Sequence, residues 1–245
     1  MPIPSVLDAY YTNYWPDQEH RITFGSEKRF ALRILRHLKI DGSRDPVRIL
    51  DFGGGDGTIA IEIAKRLVSD RGVKCEIDLV DWGATDSQIG DKVFLRGHRT
   101  LDAVSGPCDL VIASAVLEHI PEVNGVMRTL FSLVGPNGYF YARTPYVLPL
   151  ARLDPFFDFT YPGHVHDMGS GFWGRITETF GIRARVVQSG ISPVETLFSQ
   201  YRIRTILACL FKTPAWFEGW LSPPSRKDRF WNLVAGWELV LQFAD

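Results

Sequence analysis

The chain has 245 residues, 45% hydrophobic and 13% aromatic, enough to bury a large core in one domain with an elaboration rather than two domains. Its formal charge of −1 gives no global attraction to nucleic acid or an anionic membrane, so neither is expected as a partner. Cys75, Cys108 and Cys209 are too few and too scattered for a disulfide framework or zinc site, Met1-Pro2-Ile3-Pro4 lacks a signal-peptide layout, and no apolar run reaches the about 20 residues that span a bilayer; a cytoplasmic protein without a transmembrane segment is expected.

In chain order, an aromatic cluster (Tyr10, Tyr11, Tyr14, Trp15) stands first, readable as an arm packed on the domain or as a lid over a ligand. Ser26 has the character of an N-cap, and Phe30, Ala31, Ile34, Leu35 and Leu38 form a helical stripe running to Ile40. After Asp41-Gly42-Ser43, the segment Val47–Phe52 reads as a short strand, apolar on both faces as a central parallel strand requires. Gly53, Gly54, Gly55 and Gly57 follow, a density that lets a ligand lie directly against the backbone. Thr58 to Val68 then reads as a helix with Ile59, Ile63 and Leu67 on one stripe. Strand, glycine turn and helix make the first crevice of a nucleotide-binding α/β sheet. The dinucleotide fingerprint G-x-G-x-x-G/A wants a small third residue, yet Thr58 stands there. Asp51 at the strand end would repel a pyrophosphate and suits a cationic ligand.

Cys75–Asp81 is a second strand ending in an acid, placed where adjacent βα units meet a ribose diol, with Trp82 next to it to cover an adenine face. Lys92–Leu95 is a third strand, followed by Gly97-His98-Arg99-Thr100-Leu101, and Asp109–Ala113 is a fourth, followed by Ser114-Ala115-Val116-Leu117-Glu118-His119-Ile120-Pro121. A helix over Val123–Val134 ends at the turn Gly135-Pro136-Asn137-Gly138, and Tyr139–Pro145 is a fifth strand. The long irregular stretch from Tyr146 to Gly169 is rich in aromatic residues, which argues against disorder and for a functional loop. Its His164 and His166 alternate, so in an extended segment both face one way. A metal site with Asp167, a pocket base and a structural role are all open readings, and no metal is assigned. Phe172–Phe180 reads as a helix capped by Ser170 and stopped by Gly181, Ile182–Gln188 as a sixth strand, and Trp231–Phe243 as the segment of the last strand, with Gly236 marking a bulge. Pro193–Arg229 is too long for an ordinary connection and reads as a helical insertion, a packed hairpin, dimer contact or surface for a lipid-linked acceptor.

Asp51, Gly53, Gly55 and Gly57 fill the four places of D/E-x-G-x-G-x-G in order, and this stretch resembles motif I of the class I S-adenosylmethionine (SAM)-dependent methyltransferases. The string V-L-E-H-I-P resembles the segment after strand 4 in the small-molecule branch that includes ubiquinone-biosynthesis enzymes. By that resemblance the turn, Gly54 included, cradles the amino acid end of SAM, and Asp51 acts through its ammonium group or an intervening water. Asp81 and Trp82 take the ribose and adenine, and Ser114 and Ala115 border the methionine end. Glu118 and His119 would lie between cofactor and acceptor, although His119 reads equally as a core histidine. His98 stands where the family often has an acid for the adenine edge; it and Leu101 complete the expected cofactor contacts.

The resemblance implies a Rossmann-like, doubly wound α/β fold: seven strands, mostly parallel, in the order 3-2-1-4-5-7-6 with strand 7 antiparallel, and a helical insertion between strands 6 and 7. Residues 1–245 would form one domain: an N-terminal arm and helix (1–45), a SAM-binding core (46–145), an acceptor loop (146–169) and the insertion (191–230). The implied activity is transfer of the sulfonium methyl group to an O, N or C nucleophile of a small-molecule acceptor, lipid- or carrier-linked ones included, leaving S-adenosylhomocysteine (SAH). His119, His164 and His166 are the candidate catalytic residues. A SAM-binding sensor or partner subunit without turnover is the alternative, and an NAD-type oxidoreductase the third reading.

Overall fold

The computed structural model describes residues 27–40, 44–144, 165, 166, 168–191 and 237–245. The cluster Tyr10, Tyr11, Tyr14 and Trp15, the cap Ser26, His164, Asp167, Cys209 and most of the predicted insertion lie outside the described residues.

The elements are α1 (Glu27–Leu35), β1 (Val47–Phe52), α2 (Thr58–Arg71), β2 (Cys75–Val80), β3 (Ser87–Ile89), β4 (Val93–His98), β5 (Cys108–Ser114), α3 (Val123–Leu133), β6 (Val134–Thr144), α4 (Ser170–Trp173), α5 (Ile176–Phe180), β7 (Ala184–Ile191) and β8 (Trp237–Phe243), with 3₁₀ turns at Leu101–Ala103 and Leu117–His119. They build one eight-stranded sheet in the order β3-β4-β2-β1-β5-β6-β8-β7. β4, β2, β1, β5 and β6 are parallel, while β8 runs antiparallel to both β6 and β7. Without β3 this is the predicted seven-strand order. The chain moves outward from β1 through β2 to β4, then returns to β5 on the other side of β1. The crevice between the carboxyl ends of β1 and β5 is therefore the topological switch point, where such sheets bind ligands.

Successive side chains of β1 point to opposite faces. Val47 and Ile49 join Ile77, Ile112, Tyr139 and Tyr141 beneath α1 and α2, where Phe30, Ile34, Ile59, Ile63 and Leu67 fill the layer. Leu50 faces the other way, with Val111, Ala113, Phe140 and Leu239, and is covered by Met127, Leu130 and Phe131 of α3 and by Trp173 and Phe180. Phe131 meets Phe140 and Phe180 edge-on, with centroids 4.9 and 5.3 Å away, the arrangement aromatic quadrupoles prefer. Cys75 and Cys108 are buried free thiols whose burial pushes both pKa values up to about 11, so neither is a nucleophile at neutral pH.

Several boundaries differ from the sequence reading. α1 stops at Leu35: His37 N–H reaches Ile34 O and Leu38 N–H reaches Leu35 O, tightening the last turn, while Leu38 and Ile40 stay buried. α2 runs on to Arg71, ended by Gly72 at φ 72° with its N–H on Val68 O. β3 is an unpredicted strand, antiparallel to β4, and β4 itself extends through His98. The Gly135–Gly138 turn lies inside β6: Cys108 pairs with Val134 and Leu110 with Tyr139, so the residues between loop out as a bulge. The predicted Phe172–Phe180 helix is two short helices separated at Gly174-Arg175, glycine being a poor helix former. Ser170 is the first helical residue rather than the cap, and the Gly169 carbonyl takes the N–H groups of Phe172 and Trp173. β8 is described from Trp237 on, and Gly236 lies outside the described residues. A register shift does occur in β7, at Val187.

Candidate functional site

The turn after β1 is shaped from both sides. A side chain on Gly53 would stand 2.2 Å from Val116 Cγ2, because the corner after β5 packs directly against the turn. One on Gly54 would stand 2.4 Å from the Asp51 carboxyl. Gly55 is different: with φ at +62° and nothing within 4 Å of an added Cβ, it opens onto free space. Asp56 Oδ1 accepts from the N–H and hydroxyl of Thr58, closing the first turn of α2 that Gly57 cannot cap with a side chain.

Asp51 is buried at 2% exposure, and its Oδ2 has no hydrogen-bond partner. Burial pushes its pKa up to about 7; the carboxylates of Asp81 and Asp56 add repulsion, against a backbone hydrogen bond from Ala60. Three acids thus converge around one turn, a field that favours a cation. Asp81 stands opposite, its Oδ2 accepting from the Gly55 N–H at 2.9 Å and its own N–H bonded to His98 O. Trp82 beside it is 83% exposed.

His98 is drawn elsewhere. Its Nε2 lies 2.8 Å from Oδ1 of the buried Asp78, which also takes Arg48 Nη2 at 3.4 Å. That nitrogen is therefore committed to Asp78. Leu101 instead lines a cavity of about 390 Å³ with Phe52, Val80, Thr100, Asp102 and Val126. Its lining mixes apolar and polar side chains. The sequence reading missed every lining residue except Leu101, although the Thr100-Leu101-Asp102 string directly after the third strand was a usable signal.

At the end of β5, Ala115 holds φ at +57°, a conformation that costs a non-glycine residue about 1–3 kcal/mol and clusters at functional sites. Its N–H is bonded to Arg143 O at 2.7 Å, and Ser114 Oγ accepts from Arg143 Nε at 3.1 Å. Arg143 was also missed, because a charged residue inside an apolar strand carries no local sign of what it meets across the sheet.

The next turn gathers two of the candidate histidines. His119 Nε2 is 3.8 Å from Oε1 of the fully buried Glu118. The Glu118 carbonyl accepts from the N–H groups of Val165 and His166 at 2.8 and 3.1 Å. His166 Nε2 lies 3.1 Å from the Pro121 carbonyl, which can only accept, so this nitrogen carries the proton and Nδ1 is left as the basic position. Thr144 Oγ1 donates to Met168 O at 2.8 Å and accepts from Trp173 Nε1 at 3.0 Å. The chain thus leaves β6 at Thr144 and returns at Val165 to the same carboxyl edge. Among the described residues no group of His, Cys, Asp and Glu side chains has a metal-holding arrangement, and no helix is long and apolar enough to cross a membrane.

Residues 19–181, more than half of the chain, match a family model described as a methyltransferase domain. The chain is 31% identical over 100 residues to the tRNA 5-carboxymethoxyuridine methyltransferase of Escherichia coli (strain K12), a match spanning 38% of each protein. It is 25% identical over 170 residues to the ubiquinone biosynthesis O-methyltransferase of Bordetella avium (strain 197N), covering 66% of this chain and 69% of the relative. The fold is similar to that of magnesium protoporphyrin IX methyltransferase from Synechocystis PCC 6803, solved with bound SAH, at a TM-score of 0.55 and 12% identity over 98% of this chain and 99% of that one.

Proposed function

The chain belongs to the methyltransferase-domain family, and from that premise we propose that it transfers a methyl group from SAM to an O, N or C nucleophile of a small-molecule acceptor. The observation that carries this reading is Asp51 Oδ2, a buried acceptor without a partner behind a turn that is open at Gly55. Such an atom calls for a donor, and a cationic one relieves the repulsion among Asp51, Asp56 and Asp81. The residues fit SAM: Asp51 for the ammonium group, Gly53, Gly54, Gly55 and Gly57 for the methionine end, and Asp81 for the ribose. Ser114 and Ala115 are assigned to the methionine end, and the cavity at Leu101 and the exposed ring of Trp82 to the adenine. Bound there, SAM supplies a methyl group on a cationic sulfur. The protein contributes alignment, an effect worth up to about 7–11 kcal/mol in favourable cases.

His119 and His166 stand at the turn beside that edge and, with His164, are the groups to remove a proton from an alcohol or ammonium acceptor. In His166 the base is Nδ1. The stretch anchored at Thr144 and Val165 forms the acceptor side, and the chain works as one domain with an N-terminal arm and an insertion around the SAM core. A small-molecule acceptor is supported by the longer match to the ubiquinone-pathway relative, 170 residues against 100 for the tRNA enzyme, and by the near-zero net charge. An oxidoreductase is disfavoured by three acids where a pyrophosphate would lie.

Calorimetric titration with SAM, SAH and NAD tests the donor, and a screen of small molecules with methyl-labelled SAM tests the transfer. SAM and SAH are expected to bind and NAD not. Gly55→Val should abolish SAH binding while unfolding stays cooperative at a lower midpoint, since the side chain enters open space but valine resists the positive φ. NAD binding without SAM binding would overturn the reading, and SAM binding without transfer to any acceptor would favour a SAM-binding protein without turnover.

A further inference from the structure

Arg143 is 7% exposed, yet it is an arginine at the carboxyl end of a central strand. A guanidinium in such a place persists only where charge and hydrogen bonds surround it. Its plane lies under the ring of Phe30, with the guanidinium carbon 4.4 Å from the centroid. Its cross-strand partner on β8 is Glu238, a fully buried acid. Glu238 in turn takes Arg33 Nε at 2.8 Å on both oxygens, and the Tyr141 hydroxyl lies at 3.4 Å. Phe30 and Arg33 are three residues apart on α1, so one face of that helix meets both Arg143 and Glu238.

Arg143 faces the other way onto the end of β5. It grips that corner twice, by Nε on Ser114 Oγ and by its carbonyl on the Ala115 N–H. The corner is the strained one, and Val116, the next residue, occupies the space denied to a side chain on Gly53. A contiguous line of contacts therefore runs from α1 through Arg143 to Ser114, Ala115 and Val116, and on to the glycine turn.

We propose that Arg143 is a positioning residue for the methyl-donor site: stacked beneath Phe30 of α1, it holds the Ser114–Ala115 corner and, through Val116, the turn at Gly53. The inference rests on reading that turn as the SAM site. Lysine cannot replace it, because an ammonium lacks the planar Nε–H that meets Ser114 while another part of the group lies on Phe30.

A double-mutant cycle on SAH affinity, run by calorimetry on the full chain, tests this. Arg143→Lys keeps the charge and should weaken SAH about tenfold, with KM for SAM rising more than kcat falls. Ser114→Ala, which removes the acceptor of the Arg143 Nε–H and leaves the guanidinium on Phe30, should also weaken SAH, and the double variant should lose little more than Arg143→Lys because both break one link. A merely structural arginine would lower the unfolding midpoint and leave the SAH affinity of the folded protein untouched. Wild-type affinity in Ser114→Ala or in Arg143→Lys, or losses that multiply in the double variant, would overturn the inference alone. If the unsubstituted protein binds no SAH, the functional reading falls and this inference with it. Should Arg143→Lys not fold, wild-type SAH affinity in Ser114→Ala would still overturn the inference.

Discussion

The two ends of the central strands handle charge in opposite ways. At the amino ends the acids are matched: Asp109 pairs with Arg44 and accepts from the Arg48 N–H at 2.8 Å, and Asp45 accepts from the Lys74 N–H at 2.8 Å. At the carboxyl ends Asp51 is buried with Oδ2 partnerless, Asp81 adds repulsion, and Ala115 holds a conformation that alanine disfavours. The first pattern is what stability alone produces. The second leaves a buried acid facing two others, an arrangement that a cation from outside the chain would relieve.

The comparison breaks most visibly at Asp81. If it completes the ribose contact, Asp81→Ala removes charge-assisted hydrogen bonds of about 1.5–3 kcal/mol each and weakens SAM by roughly 10- to several-hundred-fold. It also frees the Gly55 N–H that Asp81 now holds. SAH shares the ribose and should lose affinity by a similar factor in calorimetric titration. Losses that differ by more than about tenfold would retire the ribose assignment.

A smaller, graded effect belongs to Asp51. With its pKa near 7 it is protonated in the free protein below that pH, and a neighbouring ammonium group favours the ionised form. SAH affinity should therefore be highest above about pH 7 and fall towards pH 5 by up to about tenfold per unit, and Asp51→Asn should flatten that profile. Stability has the reverse sign. A carboxyl whose folded pKa exceeds its unfolded value of about 4 destabilises the fold increasingly as pH rises from 4 to 7, and fully above. Asp51→Asn should raise the unfolding midpoint of the free protein at pH 8, with the gain shrinking towards pH 5. A pH-independent SAH affinity would remove Asp51 from the ammonium contact.

The smallest effect on binding is expected at the opposite end. Asp109→Ala leaves the Arg48 N–H and Arg44 without their acceptor and should lose about 1–3 kcal/mol in urea unfolding. SAH affinity should stay within about threefold, a difference of well under 1 kcal/mol. A larger change would mean that the two ends are not separable.

What the sequence disclosed follows from how local each signal is. Asp51 and the glycines after Phe52 are readable because strand, turn and helix succeed one another within one short stretch, while the strand order comes from the resemblance to the methyltransferases. β3 escaped notice because Ser87 and Gln88 are exposed and three residues carry no hydrophobic period. The bulge at Gly135–Gly138 looked like a turn because its composition is that of a turn; only the pairing of Val134 with Cys108 places it inside a strand. His98 and Arg143 lie at the far limit of such reasoning. One is tied to Asp78, twenty residues away in sequence, and the other faces Glu238 across a strand pair, so their partners depend on register rather than on neighbours.

The way the chain is fastened on either side of residues 145–164 has a consequence for descent. The anchors there are mostly main-chain carbonyls, those of Glu118, Pro121 and Met168, which any residue can offer. Among the described residues, the side chains that take part are those of Thr144, His166 and Trp173. A lineage that keeps Thr144, His166 and Trp173 keeps these anchors whatever residues stand between them. Loops on a rigid scaffold diverge in this way. If this stretch forms the acceptor side, new acceptors become accessible to descendants that inherit the donor site whole.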